Sequence, residues 1–243
     1  MFTGVLIIAV GWAIVAARLQ KPRNRGLTRL AWSQFWLVVA NAVAGGISVL
    51  AKLNPWVVAF HFLLAIALLT TTTLTWHRAR QPEEVAPSPG RVPRLLSRGL
   101  TGLTLALIVV GTLVTGSGPH SGDSADVPRM GFVWADVTVF HAVVGTLTLL
   151  VAVLLFVLLR ADPNGALAAR RTLFFIVVVI LQGAVGTVQA LNGLPEALVA
   201  LHLLGSALVW IGAVRVMLDA NPALFRAQDT AGLTPAENRV PTV

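Results

Sequence analysis

The chain contains no cysteine, and only 12% of its 243 residues are charged. The first absence excludes disulfides, cysteine-bound iron–sulfur clusters and thiolate-ligated cofactors. The second excludes an ordinary soluble domain, because such a domain needs a polar surface. Hydrophobic residues instead make up 56% of the chain, and its mean hydropathy is +0.80. This composition is typical of an integral membrane protein.

Six apolar runs are each close to the roughly 20 residues that a membrane-spanning helix needs. They cover residues 30–50, 56–76, 96–114, 137–159, 172–191 and 195–218. A seventh run, 2–17, is shorter, but it lacks the basic n-region and the small-residue cleavage site of a signal peptide. We therefore predict an all-α integral membrane protein with seven transmembrane helices.

The net charge of +8 reflects topology rather than nucleic-acid binding. Sixteen of the 18 Lys and Arg residues fall in alternate connections or in the C-terminal tail, and only Lys52 and Arg129 fall on the other side. By the positive-inside rule, the side with sixteen cations is cytoplasmic. The prediction is a multi-pass protein of the cell membrane with a cytoplasmic C-terminus.

A proline-rich segment divides the chain into two unequal halves. Residues 77–97, which include QPEEVAPSPGRVP, are predicted to form a cytoplasmic linker. It separates an N-terminal bundle (1–76) from a C-terminal four-helix bundle (98–220), and a disordered tail (221–243) follows. Because Met1 alone precedes the first of seven spans, we expect a further helix upstream.

Three histidines lie at similar depth near the outer ends of three spans: His61, His141 and His202. Ionisable residues inside a membrane are costly and usually mark a function, and neutral imidazole is a common ligand of haem iron. His141 and His202 share one half and are candidates to bind one haem from opposite faces. His61 has no visible partner in its half, so as a ligand it would leave one iron face open. For each of the three, a structural hydrogen bond is the alternative.

Three other polar residues carry weaker predictions. Arg129, one of two outer cations, is a candidate partner for a haem propionate, with a lipid headgroup as the alternative. His120 lies in the outer loop and is assigned an ordinary surface role in preference to a propionate contact. His77, at the cytoplasmic boundary, is expected to be solvated.

A weak internal repeat relates the two halves. Gly45 precedes His61 by 16 residues and Gly186 precedes His202 by 16, in each case across a turn that contains Asn and Pro. GxxG-like spacing favours close helix packing over space for a flat macrocycle at Gly99, Gly102, Gly183 and Gly186. Interhelical hydrogen bonds are predicted for the intramembrane polar residues Asn41, Gln182 and Gln189.

Four segments together resemble the haem A synthase family, over about residues 1–220. They are GGISVLAKLNPWVVAFHFLLAIALL, GTLVTGSGPHSGD, VTVFHAVVG and LVALHLLGSALV. The resemblance implies eight transmembrane helices in two pseudo-symmetric four-helix bundles. It also implies haem b between His141 and His202, and the substrate, haem O, at His61. Family members oxidise a ring methyl of haem O to the formyl group of haem A, by successive hydroxylations, for cytochrome oxidase assembly.

The chain departs from that family pattern at its start. The family's first helix, a loop with a cysteine pair, and the glutamate and histidine entering the second helix have no counterpart here, so the matching acidic catalytic residue is absent. Expected partners are membrane lipid and haem O, with haem O synthase and a second copy of the chain also considered. Two other functions stay open: a non-enzymatic bis-histidine b-type cytochrome, and a histidine-bearing transporter or assembly factor.

Overall fold

The computed structural model describes residues 2–21, 24–80, 87–119 and 127–224. Within these ranges the regular secondary structure is entirely helical, as predicted. The helices are α1 (Phe2–Leu19), α2 (Arg25–Leu50), α3 (Pro55–Ala79), α4 (Arg91–Ser117), α5 (Trp134–Ala161), α6 (Ala166–Leu191), α7 (Glu196–Ala220) and a 3₁₀-helix (Pro222–Leu224). Parts of the predicted linker (81–86) and tail (225–243) lie outside the described residues.

By length and composition, α2 to α7 can each cross a membrane, and α1 is a shorter apolar helix. Large apolar side chains are exposed around the bundle; Leu50 and Leu191 are 84% and 81% exposed. Such an apolar surface is unfavourable in water and is expected of a surface that faces lipid. The prediction of an integral membrane protein is confirmed, and the described residues contain six helices long and apolar enough to span a membrane and one shorter apolar helix.

Two equivalent turns lead into α3 and α7. Leu53 N–H donates to the carbonyl of Ser48, and Leu194 N–H donates to the carbonyl of Gln189, both at 2.8 Å. Leu53 and Leu194 have φ angles of 56° and 61°, and the residue before each is also in the left-handed region. This is the Schellman pattern, which pairs the last carbonyls of a helix. The shared backbone geometry supports the internal repeat seen in the sequence.

The C-terminal half is a closed ring of helices, because α4 packs on α5, α5 on α6, α6 on α7, and α7 on α4. The N-terminal half is an open row in the described residues: α1 packs on α2, and α2 on α3. The two halves meet where α3 packs against α4 and α7. One half therefore encloses a space between four helices.

The contact between the halves is mainly apolar at its centre, and it includes an interhelical hydrogen bond. Ile66 of α3 packs with Ile108 of α4 and Val214 of α7. Beside them, the indole Nε1 of Trp210 donates to Oγ1 of Thr70 at 2.8 Å. Trp210 is only 6% exposed, so this N–H has no access to competing water.

We expect the Trp210–Thr70 hydrogen bond to contribute about 0.6 kcal/mol, the average for side-chain hydrogen bonds between transmembrane helices. The measurement is a double-mutant cycle of Trp210→Phe and Thr70→Val, with unfolding followed in mixed micelles. Thr72→Val is the control, because the Thr72 hydroxyl donates to Leu68 within its own helix. Additive effects of Trp210→Phe and Thr70→Val would contradict the prediction.

The start of α4 is tied to the turn between α5 and α6. The Asp162 carboxylate accepts hydrogen bonds from the backbone N–H of Gly90 (2.7 Å) and of Asn164 (2.9 Å). These two donors hold the pKa of Asp162 below its usual value. These two hydrogen bonds therefore stabilise the folded chain fully at pH values above about 4, the ordinary pKa of the carboxyl group. This stabilisation is lost as the pH falls through the lower pKa of Asp162 in the folded state.

Candidate functional site

The three predicted histidines lie at nearly equal depth on α3, α5 and α7. His61 and His202 are each six residues from the start of their helices, and His141 is seven. At 1.5 Å per residue, the three rings lie about 9–11 Å from the helix starts. Because the helices alternate in direction, all three starts are at one end of the bundle, which we call the histidine face. The predicted common depth is confirmed.

Each histidine ring packs against a glycine of the preceding helix. A Cβ atom placed on Gly45 would lie 3.3 Å from Cε1 of His61, and one placed on Gly186 would lie 3.0 Å from Cε1 of His202. The structure adds a third pair that the sequence analysis missed, since a Cβ on Gly111 would lie 3.2 Å from Cε1 of His141. The pairs α2/α3, α4/α5 and α6/α7 therefore repeat one glycine–histidine unit.

The sequence also contains a signal for the third pair, but this signal differs from the 16-residue spacing between glycine and histidine. Gly45 and Gly186 stand five residues before the ends of α2 and α6, and Gly111 stands six before the end of α4. The long connection between α4 and α5 separates Gly111 from His141 along the chain, so a fixed spacing to the histidine cannot find it. Distance from the end of the helix identifies all three glycines.

The other glycines in GxxG-like spacing do not pack closely. A Cβ on Gly99, Gly102 or Gly183 would meet nothing within 4 Å, so the prediction of tight packing is wrong at these three positions. Gly99 instead lines an open apolar groove with Val92, Leu103 and Val151. Spacing alone cannot tell which face of a helix meets a neighbour.

The Nδ1 atom of each of the three histidines is buried and has no hydrogen-bond partner in the described residues. The backbone of Leu107 interacts with the His141 imidazole, and the backbone of Gln182 interacts with the His202 imidazole. An unsatisfied buried polar atom typically costs about 1–3 kcal/mol. A structural hydrogen bond to these backbone groups stays the alternative role for His141 and His202.

His141 and His202 are neighbours, close enough for their charges to interact. Both face the closed ring α4–α7, whereas His61 belongs to the other half. The structure therefore brings together the two histidines predicted as a pair.

The closed ring has most of its buried side chains at one end. Its buried core includes Leu155, Phe175 and Val216, near the face opposite the histidines. In α6 and α7, no residue between 180 and 208 is buried, and in α5 none precedes Val144. Side chains of α5, α6 and α7 are therefore more accessible at the level of the histidines than at the opposite face.

The intramembrane polar residues differ in their contacts. The side chain of Gln182 donates to the backbone carbonyl of His202 at 2.6 Å and lies against Gly205, so the predicted interhelical bond is confirmed there. Asn41 instead donates to Leu37 within its own helix, which contradicts the prediction. Gln189 Oε1 is buried without a hydrogen-bond partner among the described residues. Gln182 thus joins α6 to the helix turn that carries a candidate ligand.

Arg129 lies in the segment just before α5, at the histidine face. Its guanidinium donates to the carbonyl of Pro119, which closes the base of the α4–α5 loop. The same base is held by the buried Met130, whose N–H donates to the carbonyl of Gly116 at 2.8 Å. The propionate contact remains a prediction for Arg129, and His120 lies outside the described residues.

His77 does not occupy the solvated position expected from the sequence. Its side chain is 11% exposed, and its Nδ1 lies 3.7 Å from Oδ1 of Asp219. It sits in the last turn of α3, at the face opposite the other histidines. The error has a simple cause: the end of α3 packs against α7, which sequence hydropathy does not show.

Comparison with known proteins agrees with this arrangement. A search of the curated proteins gave no match. The profile of the COX15-CtaA family, described as cytochrome oxidase assembly protein, matches residues 1–214. That range contains all three candidate ligands and their glycines. The chain therefore belongs to the cytochrome oxidase assembly protein family, which is the family of haem A synthases.

Proposed function

We propose that the chain is a haem A synthase, a membrane oxidoreductase that converts haem O to haem A by oxidising a ring methyl to a formyl group. The observation that carries the proposal is the neighbouring pair His141 and His202, with buried Nδ1 atoms, in a closed ring of four helices. Family membership supports a role in cytochrome oxidase assembly.

In this proposal the two halves have different tasks. His141 and His202 would hold haem b, which supplies one-electron transfer because two imidazoles leave no open position on its iron. His61, alone in its half, would hold haem O and leave the other iron face accessible. Arg129 would steady a propionate at the histidine face. The glycines that contact the histidine rings would set the positions of the imidazoles.

We also propose that the histidine face is the outer side of the cell membrane. The face that contains the end of α7 carries most of the cations and would be cytoplasmic under the positive-inside rule. Oxidation would then occur near the outer surface. Haem O would enter from the membrane, supplied by haem O synthase.

The test is production of haem A in cells that make haem O and lack their own synthase. Haems are extracted from membranes and separated by chromatography. We expect haem A with the wild-type chain and a loss of about tenfold or more with His61→Ala, as expected when a group that positions substrate is removed. The same His61→Ala membranes should retain a low-spin b-type spectrum, because His141 and His202 are unchanged.

A second candidate, a non-enzymatic b-type cytochrome, is favoured by one feature of the fold. The ring α4–α7 is closed on its own, whereas the described N-terminal half is an open row. A wild-type chain with the b-type spectrum and no haem A would support this cytochrome and contradict the synthase.

A further inference from the structure

A cluster of charged residues joins the two halves at the face opposite the histidines. Its centre is Asp219 of α7, whose side chain is only 5% exposed. The Nε of Arg171 lies 3.1 Å from Oδ2 of Asp219, and His77 approaches the other carboxylate oxygen. Three helices, α3, α6 and α7, therefore meet around one buried carboxylate.

Cations outnumber this carboxylate. Arg215 interacts electrostatically with Arg171, Arg80 and Asp219, and Asp219 is the single acidic group among these neighbours in the described residues. Arg215 and Arg80 both lie over the indole ring of Trp76, with their guanidinium carbons 4.2 and 4.7 Å from its centre. Two like charges contact one indole ring, and Asp219, their acidic neighbour in the described residues, is already paired with Arg171.

One donor of this cluster is also unsatisfied. The Nε of Arg215 is buried and has no hydrogen-bond partner in the part of the chain that the structure describes. A buried donor without a partner is unfavourable, and so is repulsion between guanidinium groups. An oxyanion near Arg215 and Arg80 would accept a hydrogen bond from the buried Nε and would reduce the repulsion between the guanidinium groups. Guanidinium binds phosphate through such charge-assisted hydrogen bonds.

The depth of the cluster indicates where that oxyanion comes from. Arg215 is five residues from the end of α7, or about 8 Å, and Trp76 is three from the end of α3, or about 5 Å. Tryptophan at this depth marks the membrane interface, where lipid headgroups lie. Basic pockets between transmembrane helices at this level bind anionic headgroups.

We propose that Arg215 and Arg80, stacked on Trp76 at the junction of the two halves, bind the phosphate of one anionic phospholipid. Arg171 forms an ion pair with Asp219 and adds to the positive electrostatic potential near the site. The lipid would join α3 to α7, so it would strengthen the contact between the halves. This inference needs no bound haem.

The test is native mass spectrometry of the detergent-purified full chain with phosphatidylglycerol or phosphatidylcholine at equal concentration. We expect one phosphatidylglycerol retained per chain in preference to phosphatidylcholine. Arg215→Gln and Arg80→Gln should each weaken this binding about fivefold, which corresponds to about 1 kcal/mol per arginine. Arg80 is exposed at a helix end, so Arg80→Gln tests the site without disturbing the fold.

Arg170→Gln is the matched control, because Arg170 is exposed and adjacent to Arg171 on α6. It should leave lipid binding unchanged. Equal retention of both lipids, or undiminished phosphatidylglycerol binding in Arg215→Gln and Arg80→Gln, would overturn the proposal. Displacement of the lipid by millimolar inorganic phosphate would assign the site to a free anion and overturn the lipid assignment.

Discussion

Replacing His141 or His202 with alanine should remove the low-spin b-type haem from the purified chain. The two histidines are neighbours in the closed helical ring, so the loss of either would leave the iron of the proposed haem with one protein ligand. Changes in residues that merely support a metal ligand cost about 10–100-fold in affinity, so loss of the ligand itself should cost roughly 100-fold or more. The measurement is haem content per chain together with the reduced-minus-oxidised visible spectrum.

His61→Ala is the matched control for these two variants. His61 has the same depth and the same glycine contact, but it lies in the other half. The b-type spectrum should persist in this variant. Retention of the spectrum in His202→Ala, in a chain of native helicity, would show that the pair does not hold the haem. Absence of haem from the wild-type chain, with native helicity, would favour the transporter or assembly role instead.

Replacing Gly186 or Gly111 with valine should also remove most of the b-type haem, without touching a ligand. A Cβ alone would lie 3.0 Å from His202 at Gly186 and 3.2 Å from His141 at Gly111, closer than most real contacts. The two methyl groups of valine extend further and would displace the imidazole. Because ligand orientation is worth about 10–100-fold in affinity, we expect a loss in that range.

Gly183→Val provides a sharp control for Gly186→Val. Gly183 lies one turn earlier on the same helix, and a Cβ there meets nothing within 4 Å. The change in helix propensity is identical in both variants, since both replace glycine with valine. Haem titration of the two purified variants separates the steric effect from propensity. Equal haem affinities would contradict a positioning role for Gly186.

The sequence predicted the helices well, because the bilayer imposes strong rules. A backbone that crosses lipid must satisfy its own hydrogen bonds, so each long apolar run becomes a helix. The predicted starts of the helices were less accurate. Helix α5 begins at Trp134 rather than at residue 137, and α4 begins at Arg91 rather than at residue 96. Helices continue past the hydrocarbon region, where polar residues and prolines in the first turn are tolerated.

Errors at single residues share one origin. His77 was expected in water but contacts Asp219, and Asn41 was expected to bond across helices but bonds to Leu37. Both contacts depend on which face of a helix packs against a neighbouring helix. In a membrane protein the lipid-facing and protein-facing surfaces are both apolar, so hydropathy does not distinguish them.

The sequence by itself determined the membrane class, the helical runs, the common depth of three histidines and the repeat around Gly45 and Gly186. These follow from local composition and spacing along single helices. Only the tertiary structure decided that His141 and His202 are neighbours, that Gly111 completes the third glycine–histidine pair, and that Arg215 and Arg80 share Trp76. The reason is physical: these contacts depend on the rotation and packing of helices about each other, which distant residues set together.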